Sequence, residues 1–245
     1  MAIKKTYNYT VDTSMMDKNG VLTVEGYQRI IITTTEKELE RINLSIAHLI
    51  KEYGVSWILL SLSVKILKQI TPGQELLVTT WHTWGKGVIF RRDFEICSIN
   101  GEPLAYGATF SSLFDIEKRR LCMDRKIYEK INLEGGEELF PAVSRSAVEE
   151  GFAQTEEASV RPHWIDCLGH VNNFKYGQLA FDNIPEDCRE KSNKINRIEM
   201  FFTGELLLNE KVCIGVKNDN NLIQIAGTHQ NGGHSAFLVK LHYEE

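Results

Sequence analysis

Four long stretches between Val55 and Phe114 most constrain what this chain folds into. VSWILLSLSVKIL, QELLVTTWHTW, GVIFRRDFEIC and PLAYGATFSSLF are rich in β-branched and aromatic residues, with partial alternation of apolar and polar positions. That is the composition of strands. Between them fall TPGQ, WGKG and INGEP, segments with turn chemistry. Strands joined so closely pair antiparallel.

Before the strands lies TVEGYQRIIITTTEKELERINLSIAHLIKEYG, which reads as a helix despite its Ile-Thr run. Its charged second half, the periodic Leu39, Ile42, Ile46 and Ile50, and Gly54 as a C-terminal stop favour that reading. NLEGGEELFPAV, residues 132–143, has the Gly and Pro content of a connector. After it the order repeats: the strand-like GFAQTEEASVRPHW, a helix ending near Pro185, then more strands. Matching Gln74 of TPGQELLV to Glu210 of LLNEKVCI gives an offset of 136 (210 − 74), which sets Leu76, Leu77 and Val78 on Val212, Cys213 and Ile214. The class is α+β, with two similar halves.

Composition excludes several classes. A chain of 245 residues that is 42% hydrophobic and 25% charged is globular in character, and its net charge of −5 argues against nucleic acid as the main partner. Ser61, Ser63 and Lys65 interrupt the longest apolar run, so no membrane span is expected, and MAIKKTYNYT lacks the apolar core of a signal peptide. Five scattered cysteines without a CxxC pair suggest neither a disulfide framework nor a zinc ribbon, so a reducing cytoplasm is the expected setting.

The chemistry-bearing stretch is WIDCLGHVNNFKYG, Trp164 to Gly177. Its residues describe a tight Gly-containing turn feeding a helix that Asn172 or Asn173 can cap, with Phe174, Tyr176, Leu179, Ala180 and Ile184 as the apolar stripe. Backbone N–H groups at the start of such a helix lack intrahelical partners and suit a carbonyl oxygen that becomes an oxyanion.

This stretch resembles the hot-dog thioesterases, whose motif reads approximately D-x-x-G-H-V-N-N before the central helix. The matching residues are Asp166, Gly169, His170, Val171, Asn172 and Asn173. The chain is similar more widely to the acyl-acyl carrier protein thioesterases, which fuse two hot-dog halves. WILLSLSVKILKQITPGQELLVTTWHTWGKGVIFRRDFEI looks like their first half and VRPHWIDCLGHVNNFKYG like the start of their second. The resemblance implies two tandem hot-dog domains, each an antiparallel sheet wrapped around a central helix. Residues 1–131 would form an N-terminal acyl-binding domain, 132–145 a linker, and 146–245 a C-terminal catalytic domain. It further implies catalytic roles for Asp166, His170 and Glu205, the last within MFFTGELLL, and substrate contacts from Gly169, Asn172 and Asn173. Two positions depart from the family: its usual asparagine is Leu168, and the cysteine that follows the glutamate in some members is Leu206. At the 136 offset Glu205 falls on Gln69, so the acidic motif is expected in the second half alone.

Competing readings of single residues are weaker. Cys167 and His170 form a Cys-His pair only if a tight turn aligns them, and residue 167 varies in the family. HQNGGH, with His229 and His234, reads more simply as a hairpin turn than as a metal loop. No phosphate-loop pattern and no GxSxG elbow occurs, so an α/β-hydrolase mechanism is not expected. Arg91, Arg92, Lys118, Arg119, Arg120, Arg125 and Lys126 form basic clusters, and Arg91, Arg92, Arg119 and Arg120 are candidate docking residues for an acidic carrier protein.

The reading is a cytoplasmic thioester hydrolase that releases fatty acid from acyl carrier protein, ending fatty acid synthesis. It uses Glu205 or Asp166 to activate water, with direct carboxylate attack through an anhydride as the alternative, and no metal and no cofactor. Its partner would be acyl carrier protein with its phosphopantetheine-linked chain, and a homodimer is left open. The alternatives are an acyl-coenzyme A thioesterase and a non-catalytic acyl-binding protein.

Overall fold

A computed structural model describes residues 3–131, 133–231 and 233–244. The first half runs β1 (Lys5–Thr10), α1 (Val24–Arg41), α2 (Ile46–Tyr53), β2 (Val55–Ile66), β3 (Glu75–Lys86), β4 (Ile89–Ser98), β5 (Pro103–Asp115), β6 (Arg120–Leu121) and α3 (Arg125–Lys130). The second runs β7 (Ala153–Ser159), α4 (Asn173–Asp182), α5 (Glu186–Arg189), β8 (Ile195–Phe202), β9 (Lys211–Asp219), β10 (Leu222–His229) and β11 (Ser235–Tyr243).

Among the described residues these strands make one sheet in the order β1-β3-β4-β5-β2-β8-β11-β10-β9-β7, with β6 paired to β5. Every named pairing is antiparallel, and for β3–β4, β4–β5, β5–β6, β9–β10 and β10–β11 the short turns require it. The order reads alike from both ends, and β2 and β8 join the halves through pairs such as Leu62↔Met200 and Val64↔Ile198. The 136 offset holds where it was read: β3 opens at Glu75 and β9 at Lys211 (211 − 75).

The long helix read over 23–54 is broken. Asn43 takes a left-handed φ of 56°, Ser45 accepts the His48 N–H as a new cap, and Gly54 (φ 66°) terminates α2. The stripe differs too: α1 buries Tyr27, Ile30 and Ile31, whereas Ile50 is exposed, because the inward face lies in the Ile-Thr run rather than the charged half.

Helices α1 and α4 lie on one face of the sheet and pack on each other over a core that includes Tyr27, Ile30, Phe94, Tyr176, Leu179 and Phe237. Full burial of one such side chain contributes about 1.5–3 kcal/mol. Gly177 sets the helix spacing. A Cβ there would lie 2.7 Å from Gln28 Oε1, and Gln28 Nε2 donates to the Asn173 carbonyl at 2.8 Å.

The connector has no regular structure over 133–152 and is strapped to the opposite face of the sheet. Gly136 N–H donates to Thr83 O, Trp81 Nε1 to Glu137 O, and Ser61 Oγ to Val143 O. Arg91 is 2% exposed and donates to Asp93, Glu138 and the Phe140 carbonyl. This corrects the docking role read for Arg91 and Arg92. Arg91 is held under the connector and Arg92, also buried, faces the helices, so neither can meet a carrier protein. Asn132 of the connector lies outside the described residues. The 229–234 turn joins β10 to β11 through His229 N–H and His234 O, with Gly232 outside the description.

Candidate active site

The motif turn is built by one carboxylate. Asp166 Oδ1 accepts the N–H groups of Leu168 (2.8 Å) and His170 (3.4 Å), and Gly169, at φ 86°, closes the turn with N–H to Asp166 O. Asn172 caps α4 by accepting the Phe174 N–H at 3.0 Å. Its amide oxygen is therefore engaged by the helix, and Gly169 serves the turn. Both placements follow from backbone N–H groups that must find acceptors. Asn173 instead lines the cavity described next.

Val171 N–H donates to Leu206 O at 2.9 Å, which ties the turn to the segment after β8. There Thr203 and Gly204 both donate to Ala236 O, and a Cβ on Gly204 would sit 2.9 Å from Ser235 O. Glu205 follows this double anchor. It is in the irregular segment between β8 and β9, not on the strand that MFFTGELLL suggested.

The result brings His170 and Glu205 together. His170 Nε2 lies 3.3 Å from Glu205 Oε1, close in distance but not aligned as a hydrogen bond, so that nitrogen is buried without a hydrogen-bond partner. Arg119, from the β5–β6 turn of the first half, donates to Glu205 Oε2 at 2.7 Å. Phe114 sits edge-on to the His170 ring at 6.2 Å and under the Arg119 guanidinium at 5.7 Å. Asp166, His170, Asn173, Glu205 and Arg119 line a cavity of about 340 Å³ whose walls include Trp57, Tyr176 and Phe202. Burial raises the Tyr176 hydroxyl well above its usual pKa, so it stays protonated.

A second cavity of about 610 Å³ lies under α1, α2 and the first half of the sheet, and Trp57, Leu59 and Asn173 line both. Cys167 is exposed and outside either lining. Among the described residues no group of three or more His, Cys, Asp and Glu side chains is placed to hold a metal ion, and no helix is long and apolar enough to cross a membrane.

Arg120 remains exposed, as a docking residue must, but Arg119 has a partner the sequence did not reveal. The motif turn also occurs twice, which corrects its assignment to the second half alone. Asp17 Oδ1 accepts the N–H groups of Asn19 and Val21, Gly20 (φ 75°) closes the turn, and Thr23 caps α1. Asp17 and Asp166 stand 149 apart (166 − 17), as do the capping residues Thr23 and Asn172 (172 − 23). In the first half Val21 replaces His170. Leu67 and Lys68 make the double anchor on Leu104 O, so Gln69 stands where Glu205 does. The signal was present as MDKNGVLTVEGY beside IDCLGHVNNFKY, but at 149 rather than 136.

Comparison with known proteins completes the picture. The chain resembles a crystal structure of an acyl-ACP thioesterase from Bacteroides thetaiotaomicron (TM-score 0.86, 19% identity, 98% of each chain covered). It also resembles a 12:0-ACP thioesterase from Umbellularia californica (TM-score 0.81, 14% identity, 98% of this chain and 97% of that one). A MaoC-like dehydratase from Phytophthora capsici shares the fold more distantly (TM-score 0.61, 13% identity, 100% of this chain and 96% of that one). At such identities these likenesses establish a hot-dog-like fold and leave the chemistry to the sequence. A comparison with curated proteins gives no match. Residues 3–131 match the acyl-ACP thioesterase N-terminal domain and residues 148–244 the acyl-ACP thioesterase C-terminal domain. The chain therefore belongs to the acyl-ACP thioesterase family, thioester hydrolases that release the fatty acid from acyl carrier protein and so end fatty acid synthesis.

Proposed function

We propose that hydrolysis takes place between His170, Glu205 and the start of α4, with the acyl chain running into the larger cavity of the first half. The observation that carries this reading is the approach of His170 Nε2 to Glu205 Oε1 at the wall of a cavity that adjoins a larger, mostly apolar one. Glu205 takes a proton from water as its oxygen attacks the thioester carbon. The carbonyl oxygen becomes an oxyanion facing the N–H of Asn173, the helix-head donor left after Asn172 engages that of Phe174. When the C–S bond breaks, the thiolate takes a proton from Glu205, with His170 orienting the carboxylate. Asp166 acts by holding the turn that carries His170, while its Oδ2 accepts no hydrogen bond among the described residues and Asp166 lines the cavity.

On this reading the chain is two tandem hot-dog domains, 1–131 and 146–245, joined by the linker 132–145. The mirrored strand order and the repeated turn support it. Arg120 is proposed to meet the acidic carrier protein from the β5–β6 turn, with Arg119 beside it bound to Glu205. Glu205→Gln keeps the shape and removes the base. Turnover in a thiol-release assay on acyl carrier protein substrates should fall by about two or more orders of magnitude, the scale of general-base loss, while fatty acid binding is retained. Near-normal turnover would leave Glu205 as a partner of Arg119 only and end this mechanism.

A further inference from the structure

Two successive arginines on β4 are buried to similar depth but treated very differently. Arg91, 2% exposed, has its guanidinium held by Asp93, Glu138 and the Phe140 carbonyl. The guanidinium of Arg92, 8% exposed, has among the described residues one hydrogen bond, a long one of 3.4 Å to Thr80 Oγ1. Glu38 acts on Arg92 from further off, but both its oxygens are taken by Arg41 at 2.8 Å and one also by Tyr7. Burying a guanidinium with so few partners is costly. A cation that only supported the fold would be served as Arg91 is.

Arg92 lines the 610 Å³ cavity, and the antiparallel register sets His82 and Thr109 directly beside it. Ile32, Leu39, Ile46, Trp57, Leu59 and Phe90 supply apolar walls. Burial lowers Arg92 to about 10 and His82 to about 4, the Arg92 charge adding to the second shift. At neutral pH the floor therefore holds one positive charge beside an uncharged imidazole. A plain hydrocarbon chain has nothing to offer such a floor.

We propose that this cavity selects acyl chains carrying an oxygen function remote from the thioester, a hydroxyl or a terminal carboxylate that accepts hydrogen bonds from Arg92 with His82 and Thr109 alongside. The inference rests on the reading that the acyl chain enters this cavity. Thr109 and Phe114, the latter against His170, are five residues apart on β5, or about 17 Å at roughly 3.3 Å per residue. With carbon–carbon bonds of about 1.5 Å, the substituent lies far beyond the second or third carbon.

The test compares kcat/KM of the full chain on three carrier-linked thioesters of equal length: saturated, mid-chain hydroxylated and ω-carboxylated. One oxygenated chain should be favoured at least tenfold over the saturated one, and which one identifies the oxygen source. Arg92→Met should abolish that preference, read as the ratio of kcat/KM on the oxygenated chain to that on the saturated one. Should Arg92→Met fail to fold, His82→Phe and Thr109→Val should each reduce the preference. A wild type that favours the saturated chain, or a preference unchanged in folded variants, overturns the proposal. Displacement of a fluorescent fatty acid by the three free acids separates this from the catalytic reading. Arg92-dependent binding of an oxygenated acid with no thiol release from any substrate would sink the mechanism and keep the inference. Release without preference would do the reverse.

Discussion

Asp17 and Asp166 build the same turn in two places, and only the second carries a histidine toward a glutamate, so removing each in turn separates folding from function. Asp17 accepts three hydrogen bonds, from Asn19 N–H at 2.8 Å, Val21 N–H at 2.9 Å and Ser192 Oγ at 2.6 Å. Asp166 accepts one good bond, from Leu168 N–H at 2.8 Å, and one long one, from His170 N–H at 3.4 Å. At about 1 kcal/mol net per bond, Asp17→Ala should cost about 3 kcal/mol of stability and Asp166→Ala about 1–2 kcal/mol. Activity should rank the other way. Released from its anchor, the His170 backbone can drift by the ångström or so that costs about a hundredfold in rate, whereas Asp17→Ala should stay within about threefold where it is folded, on the same scale. Urea denaturation reads the first order and initial thiol-release rates on the same preparations read the second. If Asp166→Ala loses no more turnover than Asp17→Ala, the turn does not position the catalytic groups. The placement of His170 would then owe more to Phe114 and to the Val171–Leu206 bond.

Cys167→Ala should keep most of the activity, since the thiol is exposed and outside both cavities. Alkylation of wild type that abolishes turnover, with protection by substrate, would restore the Cys-His mechanism. Arg120→Glu should weaken hydrolysis of acyl carrier protein substrates more than of an acyl-pantetheine mimic, and added salt should narrow the gap because exposed charges are screened over about 10 Å at 0.1 M. An equal effect on both substrates would assign Arg120 to folding.

How much of this the sequence reveals depends on whether a feature is local. The four strands from Val55 to Asp115 were legible because alternation and turn chemistry sit within each segment. The cap at Asn172 and the stop at Gly54 were legible for the same reason. Basic clusters were not. RR in GVIFRRDFEIC looks like a charged surface, but alternation sends its two side chains to opposite faces, one under the connector and the other into a cavity. Arg119 likewise reads as a solvated turn residue, and only the join of β2 to β8 brings it within reach of Glu205, 86 residues away. The break at Asn43 is not legible, because a left-handed asparagine between two helical patterns leaves no gap in composition.

The two offsets carry a further step. The halves align at 149 up to the helix caps and at 136 from the third strand, so the first half has 13 extra residues in between (149 − 136). They fall largely in the helices: α1 has 18 residues against 10 in α4, and α2 has 8 against 4 in α5. The added length, with Ile32, Leu39 and Ile46, is what walls the 610 Å³ cavity. The same half has Val21 and Gln69 where the other has His170 and Glu205. A helix that long would crowd a site needing room for a thioester and a water. A half without the histidine–glutamate pair is free to enclose apolar volume. On the proposed function, one copy of the repeat keeps a short helix beside an open cavity with the His170–Glu205 pair, the other trades that pair for depth, and the substrate spans both. A substitution in the first half, such as Arg92→Met, should therefore change which chains are hydrolysed without changing how the bond is cut.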